Sequence, residues 1–256
     1  MNINRDSGLQ IELSNRTALI TGSNSPIGIA IAQNLAAAGA QVVLAVHEKT
    51  NRAKYLAEEL GTSMLTTDLN DPEEIKNLIS ETLELTGRLD FLINNAANQT
   101  SKPLTEIDYK SWDSVANTNL RSAHLMMRAA CLPLSQDGGG VIINVASIEA
   151  HQPAPNHGHY SASKAGLLML SRSAALEYGP SNIRVNSVSP GLIDDGELTK
   201  RWPDGVERWL NANPLGRLGK PEDVANTVTF LVSPMADWIT GSDFVVDGGM
   251  LSRPTW

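Results

Sequence analysis

Tyr160 and Lys164 lie four residues apart where a helical pattern begins, a spacing that sets both side chains on one helix face. A phenol with an ordinary pKa near 10 is a weak acid-base catalyst at neutral pH, and a neighbouring ammonium favours the phenolate. Such a pair can exchange a proton with a carbonyl or an alcohol. Alone it is no more than a common surface pair. Ser147 changes that, because it stands where the strand-like run 141–146 ends, thirteen residues before Tyr160, with a hydroxyl suited to hold a substrate oxygen. The plainer reading of Ser147 is a strand-end turn serine.

A second constellation lies near the start. Residues 21–28 read Thr-Gly-Ser-Asn-Ser-Pro-Ile-Gly, directly after an apolar run at 17–21 and opening into a helical pattern at 27–38. Gly22 and Gly28 would let the backbone approach a pyrophosphate, with Asn24, Ser25 and Ile27 in the same turn at a helix start that favours an anion. Two glycines also suit an ordinary strand-turn-helix. Their company points to a nucleotide: Asn95, Ala96 and Ala97 close another strand, and Asp68 and Leu69 follow a third, with Asp68 placed to receive an adenine amino group. Polar groups thus collect at the carboxyl ends of strands, where open α/β sheets bind ligands.

The elements that must hold these groups alternate along the chain. Runs at 17–21, 41–46, 63–67, 89–94, 141–146, 183–188 and 244–247 read as strands, and stretches such as 27–38, 71–86, 112–132 and 161–178 as crossover helices. Strands apolar on both faces imply helices on both sides of the sheet. The expected fold is α/β, a doubly wound and mostly parallel sheet of about seven strands, as one domain over 16–256 after an extension at 1–15. The triplet Gly138-Gly139-Gly140 introduces a strand. Residues 192–219, with two prolines and with Trp202 and Trp209, look irregular and suit a lid over a substrate.

Composition removes other classes. The formal charge of −8 comes with no basic run, which excludes a nucleic-acid footprint. Cys131 is the only cysteine and sits among apolar residues, so it reads as a buried small hydrophobe. No stretch is long and apolar enough to span a membrane, and residues 1–13 lack a signal-peptide run, so the expectation is a cytoplasmic protein.

Over residues 16–249 the chain resembles the short-chain dehydrogenase/reductase family. Its glycine loop resembles residues 21–28, its Asn-Asn-Ala-Gly strand end residues 94–97, and its Asn-Ser-Tyr-Lys tetrad Asn119, Ser147, Tyr160 and Lys164. Ser189-Pro190-Gly191, Thr240-Gly241 and residues 246–249 resemble later family motifs. The resemblance implies a nicotinamide cofactor, with Lys164 on its ribose, Asn119 holding a relay water, Ser147 polarising the substrate, and Pro190, Gly191 and the Ile193 backbone beside the nicotinamide. It also implies a homo-oligomer, a tetramer or dimer, with residues 240–249 at subunit contacts. Two positions depart from the pattern: Pro26 replaces the middle glycine of the loop, and Ala97 replaces the last glycine of the strand-end motif. Proline suits a first helical turn and removes one amide donor, so cofactor binding is expected to survive.

NAD selectivity needs a carboxylate at the end of the second strand, and NADP a cation. Val46 occupies that end, followed by His47, Glu48, Lys49 and Arg52, a balance that favours NADP(H) over NAD(H). The segment from Ser147 to Tyr160 includes Glu149, His151, Gln152, Asn156, His157 and His159, and with Trp202 it suggests a small polar substrate rather than a steroid or acyl chain. A tyrosine mechanism requires no metal, so none is expected at these histidines. The competing class is a dinucleotide-binding sensor or structural subunit without catalysis.

Overall fold

Strands apolar on both faces need cover on both sides, and the chain supplies it. In the computed structural model, which describes residues 11–136 and 138–253, β1 (Thr17–Thr21), β2 (Gln41–Val46), β3 (Ser63–Thr66), β4 (Phe91–Asn94), β5 (Gly140–Val145), β6 (Ile183–Pro190) and β7 (Asp243–Val246) form one parallel sheet. Its order is β3-β2-β1-β4-β5-β6-β7. The crossovers are α1 (Pro26–Ala37), α2 (Asn51–Leu60), α3 (Pro72–Thr86), α4 (Tyr109–Ala116) with α5 (Ser122–Gln136), α6 (Gly158–Tyr178), and α7 (Leu198–Arg201), α8 (Pro203–Ala212) and α9 (Pro221–Val232) between β6 and β7.

Two apolar layers result. On one face Ile31 and Leu35 of α1 and Val224, Val228 and Leu231 of α9 bury against Ile20, Leu44 and Ile143. On the other Ile75 and Leu78 of α3 and Met126 and Leu134 of α5 bury against Leu19, Val43, Leu92 and Ile142. Full burial of one such aliphatic side chain contributes about 1.5–3 kcal/mol, so the layers supply most of the stabilisation. The expected doubly wound sheet of seven strands is the fold.

Four local expectations change. The single helix at 112–132 is interrupted by a π turn, Asn117–Arg121, between α4 and α5. Residues 192–219 are less irregular than their prolines suggest, because Pro203 sits in the first turn of α8, where its missing N–H costs nothing. Residues 11–15, assigned to an extension, pack on the domain through Leu13, buried in the α1 layer, while residues 1–10 lie outside the described residues. Cys131 is only partly buried.

At the opposite end from the strand tips, Asp90 receives Arg16 Nη1 at 2.7 Å, Arg88 Nη2 at 2.6 Å and the Thr17 amide at 2.8 Å. Burial alone would raise its pKa, but these bonds outweigh it and hold the carboxyl below its ordinary value. A depressed carboxylate stabilises the fold fully above its ordinary pKa and loses that contribution as pH falls through the lowered value. Asp90→Asn should therefore lower stability at pH 7 by about 1–3 kcal/mol in urea titrations. The deficit should shrink toward acid pH, and equal deficits at pH 7 and pH 3 would refute the assignment.

Candidate active site

The strand order reverses between β1 and β4, so the crossovers leaving their carboxyl ends diverge and open a crevice. Gly22 lines it at φ +61°, and a Cβ there would lie 2.7 Å from Ala96 Cα. A Cβ on Gly28 would meet the Gly22 carbonyl at 2.4 Å, so both positions exclude any side chain. Asn95 fixes the crevice from the β4 side: its Nδ2 donates to Thr21 O at 3.0 Å, Gly22 O at 2.9 Å and Ser25 Oγ at 3.1 Å. Ser25 caps α1 by accepting from Gly28 N at 3.1 Å, and Pro26 follows as the first helical residue. Proline thus stands where the helix needs no N–H.

The crevice runs in two halves. One, of about 340 Å³, is lined by Gly22, Asn24, Ser25, Val46, His47, Asp68, Leu69, Asn95, Ala96 and Ala97. Asp68 faces it with a pKa held below the usual range, chiefly by the Asn70 amide. His47 is exposed at its mouth and Val46 buried in its wall, while Lys49 and Arg52 do not line it. The other half, also about 340 Å³, brings Ser25, Ile27, Asn95 and Ala97 together with Ser147, Tyr160, Lys164, Pro190, Gly191 and Ile193. Backbone amides at a helix start, a glycine cradle and a two-part cleft fit a dinucleotide.

α6 carries the reactive pair into the second half. Lys164 is fully buried and its Nζ donates to Val145 O at the end of β5, 2.7 Å away. Desolvation brings its pKa down to about 8. Nζ lies 5.7 Å from the centre of the Tyr160 ring. Tyr160 is also buried, and its phenol is pushed up to about 12, first by burial and further by the Glu149 charge, against hydrogen bonds from Ser147 and Gln99. The expected lowering by Lys164 is not what this arrangement gives. Burial sets the direction, and one donor of the ammonium is engaged by the Val145 carbonyl.

The π turn decides where Asn119 points. An inserted residue there widens the helix, and the Asn119 amide bonds the Asn98 backbone on both sides, accepting from Asn98 N at 2.7 Å and donating to Asn98 O at 2.9 Å. Its Nδ2 also reaches Ser163 Oγ at 3.1 Å. It therefore joins the α4–α5 turn to α6 beside Lys164.

Three substrate expectations fall outside the cleft lining. Glu149 accepts from Ser161 Oγ at 3.1 Å and pairs with His157 Nδ1 at 3.0 Å, so both partners are spent on each other. The His157 ring lies edge-on to the Tyr160 ring with centres 5.8 Å apart. Trp202, between α7 and α8, lays its ring against Gly205 in the first turn of α8. Gln99, Asp195, Leu198 and Arg201 line the cleft instead. No sequence motif marks these four, although Gln99 follows the Asn95–Ala97 strand end closely enough to have been considered. No cluster of metal-ligating side chains occurs among the described residues, and none of their helices is long and apolar enough to cross a membrane.

Residues 22–251 match the family model described as enoyl-(acyl carrier protein) reductase. An uncharacterized oxidoreductase of Thermotoga maritima is 38% identical over 247 residues, covering 93% of this chain and 96% of that protein. The chain belongs to the short-chain dehydrogenase/reductase family. Dehydrogenase/reductase SDR family member 4 of Sus scrofa is 36% identical over 94% of this chain and 89% of its own length. The 3-oxoacyl-(acyl-carrier-protein) reductase FabG of Chlamydia trachomatis is 34% identical over 93% and 98%. A crystal structure assigned to the short-chain alcohol dehydrogenases, from Sinorhizobium meliloti, superposes with a TM-score of 0.90 at 34% identity, covering 95% of this chain and 99% of that one. The chain is thus a short-chain dehydrogenase/reductase oxidoreductase.

In this short-chain dehydrogenase/reductase the buried lysine has a measurable cost. Its depressed pKa means that the folded state resists the charged form, so the penalty is full at pH 7 and is relieved as pH rises through about 8 toward 10.5. That penalty is on the order of 3 kcal/mol, against about 1 kcal/mol for the bond to Val145. Lys164→Met should therefore be more stable than the wild type at pH 7 by on the order of 2 kcal/mol. Thermal unfolding between pH 7 and 10 checks this, and a variant less stable throughout would contradict it.

Proposed function

We propose that this oxidoreductase transfers hydride between a nicotinamide dinucleotide, NADP(H) favoured over NAD(H), and a small polar alcohol or ketone, with Tyr160 as general acid and base. The observation that carries the reading is the meeting, in one cleft, of a glycine cradle at a helix start with a buried phenol, an amine and a serine hydroxyl. Gly22, Ser25, Ile27, Gly28 and Asn95 would hold the dinucleotide phosphates, Asp68 and Leu69 the adenine end, and Ala96, Ala97, Pro190, Gly191 and Ile193 the nicotinamide end. The bound cofactor supplies or accepts the hydride.

The side chains handle the proton. Ser147 holds the substrate oxygen, and Tyr160 gives that oxygen a proton in reduction or takes one from the hydroxyl in oxidation. A phenol near 12 keeps its proton at neutral pH and is ready to act as the acid, whereas the basic role improves as pH rises. Lys164, charged at pH 7 with a pKa about 8, holds the ribose and favours the phenolate when that forms. Asn119 positions a relay water beside it. The polar lining from Gln99, Asp195 and Arg201, rather than Glu149 and His157, supports a polar substrate.

His47 at the mouth of the adenosine half supports NADP(H), since the wall contains no carboxylate at the end of β2. Exposed apolar side chains on α4 to α6, among them Tyr109, Trp112, Leu132, Met169 and Leu176, support a homo-oligomer, a tetramer or dimer.

Tyr160→Phe should retain cofactor binding and lower turnover by roughly 10²–10⁴-fold in a nicotinamide absorbance assay. Near-normal rates in that variant exclude the mechanism. His47→Asp should move the NADP/NAD ratio of kcat/KM toward NAD by about tenfold or more, because a carboxylate accepts from the ribose hydroxyl and repels a 2′-phosphate. An unchanged ratio would remove His47 from cofactor selection.

A further inference from the structure

Resting on that reading, we propose that Arg201, braced by Asp195, receives an anionic oxygen group on the substrate, a carboxylate carried beyond the reacting carbonyl. Both residues line the cleft that contains Ser147, Tyr160 and Lys164. Arg201 Nη2 donates to Asp195 Oδ2 at 2.7 Å, and Asp195 Oδ1 accepts from Glu197 N at 3.0 Å. The carboxylate is thereby engaged on both oxygens, and the Arg201 bond holds its pKa below the usual range.

The guanidinium is left with capacity to spare. It has five N–H donors in a fixed plane, and only the contact with Asp195 occupies them among the described residues. A fork held from one side and open on the other matches a carboxylate in a two-bond geometry. Lys164 is the other cation of this cleft, and it is buried at the inner end with its ammonium on Val145 O. The two cations therefore divide the work by depth. Arg201, with 59% of its side chain exposed, stands at the rim, where it can meet the outer end of a ligand whose carbonyl faces Tyr160.

The same cleft reaches Ser25 and Ile27 at the start of α1, so a cofactor diphosphate is a second source of anionic oxygen. Calorimetry on protein saturated with the oxidised cofactor separates the two. The probes are 4-oxopentanoate, 5-oxohexanoate and 6-oxoheptanoate, each against its methyl ester, and without a hydride donor none is turned over. At least one acid should bind about tenfold more tightly than its ester. Arg201→Gln should abolish that preference, Arg201→Lys should keep part of it through charge without the fork, and Lys200→Gln, removing the neighbouring surface ammonium paired with Glu197, should keep it. No preference in the wild type, or a preference that survives Arg201→Gln, overturns the proposal. So does an Arg201→Gln variant that loses about tenfold in cofactor affinity while the acids keep their advantage. Turnover of the same ketones with the reduced cofactor is read separately: an acid that binds through Arg201 and is not reduced refutes the oxidoreductase reading for that ligand class and leaves the anion site standing.

Discussion

The attachment of α6 to the sheet is the constraint on which the site depends. Apolar packing is non-directional and would tolerate small slides of the helix, yet the roles proposed for the phenol and amine require their placement to within a fraction of an ångström. Directional bonds fix the register. Lys164 donates to Val145 O, and two turns further on Ser171 receives Asn144 Nδ2 at 2.8 Å and Ser187 Oγ at 2.9 Å. Asn94 Nδ2 completes the line on Asn144 Oδ1 at 2.8 Å. This polar row crosses β4, β5 and β6 beneath the site, and slipping any member would strand a buried donor or acceptor.

From that fixed helix the electrostatics follow. Burial raises the Tyr160 phenol to about 12 and lowers the Lys164 amine to about 8, each toward its neutral form, and so moves the two proton affinities apart. The fold bears the cost of an almost dry lysine because the two apolar layers exceed it.

The same economy governs the crevice between β1 and β4. Asn95 uses one amide to join the β1 carbonyl end, the glycine turn and the Ser25 cap. The turn is held by a side chain as well as by its glycines, with Pro26 seated as the first residue of α1.

Sequence determined the alternation of strands and helices, the glycine turn with its helix start, and the grouping of Ser147, Tyr160 and Lys164 that the cleft lining shares, because each depends on local periodicity or on spacing along the chain. The fold class and the strand-end clustering followed from the same local signals. Asn119 was legible only through resemblance, since nothing local signals a π turn inside a continuous helical pattern. Glu149, His157 and Trp202 lie outside the cleft lining for a related reason: their chemistry was visible, but their neighbours were not, and Glu149 and His157 pair with each other while the Trp202 ring lies against Gly205. Gln99, Asp195 and Arg201 carry no pattern at all and enter the cleft because the strand order brings the β4 loop, the β5 end and the β6–α7 connection to one edge. Burial likewise decided the proton affinities. Desolvation is a property of everything packed around a group, and it reversed the direction that the spacing of Tyr160 and Lys164 alone suggests.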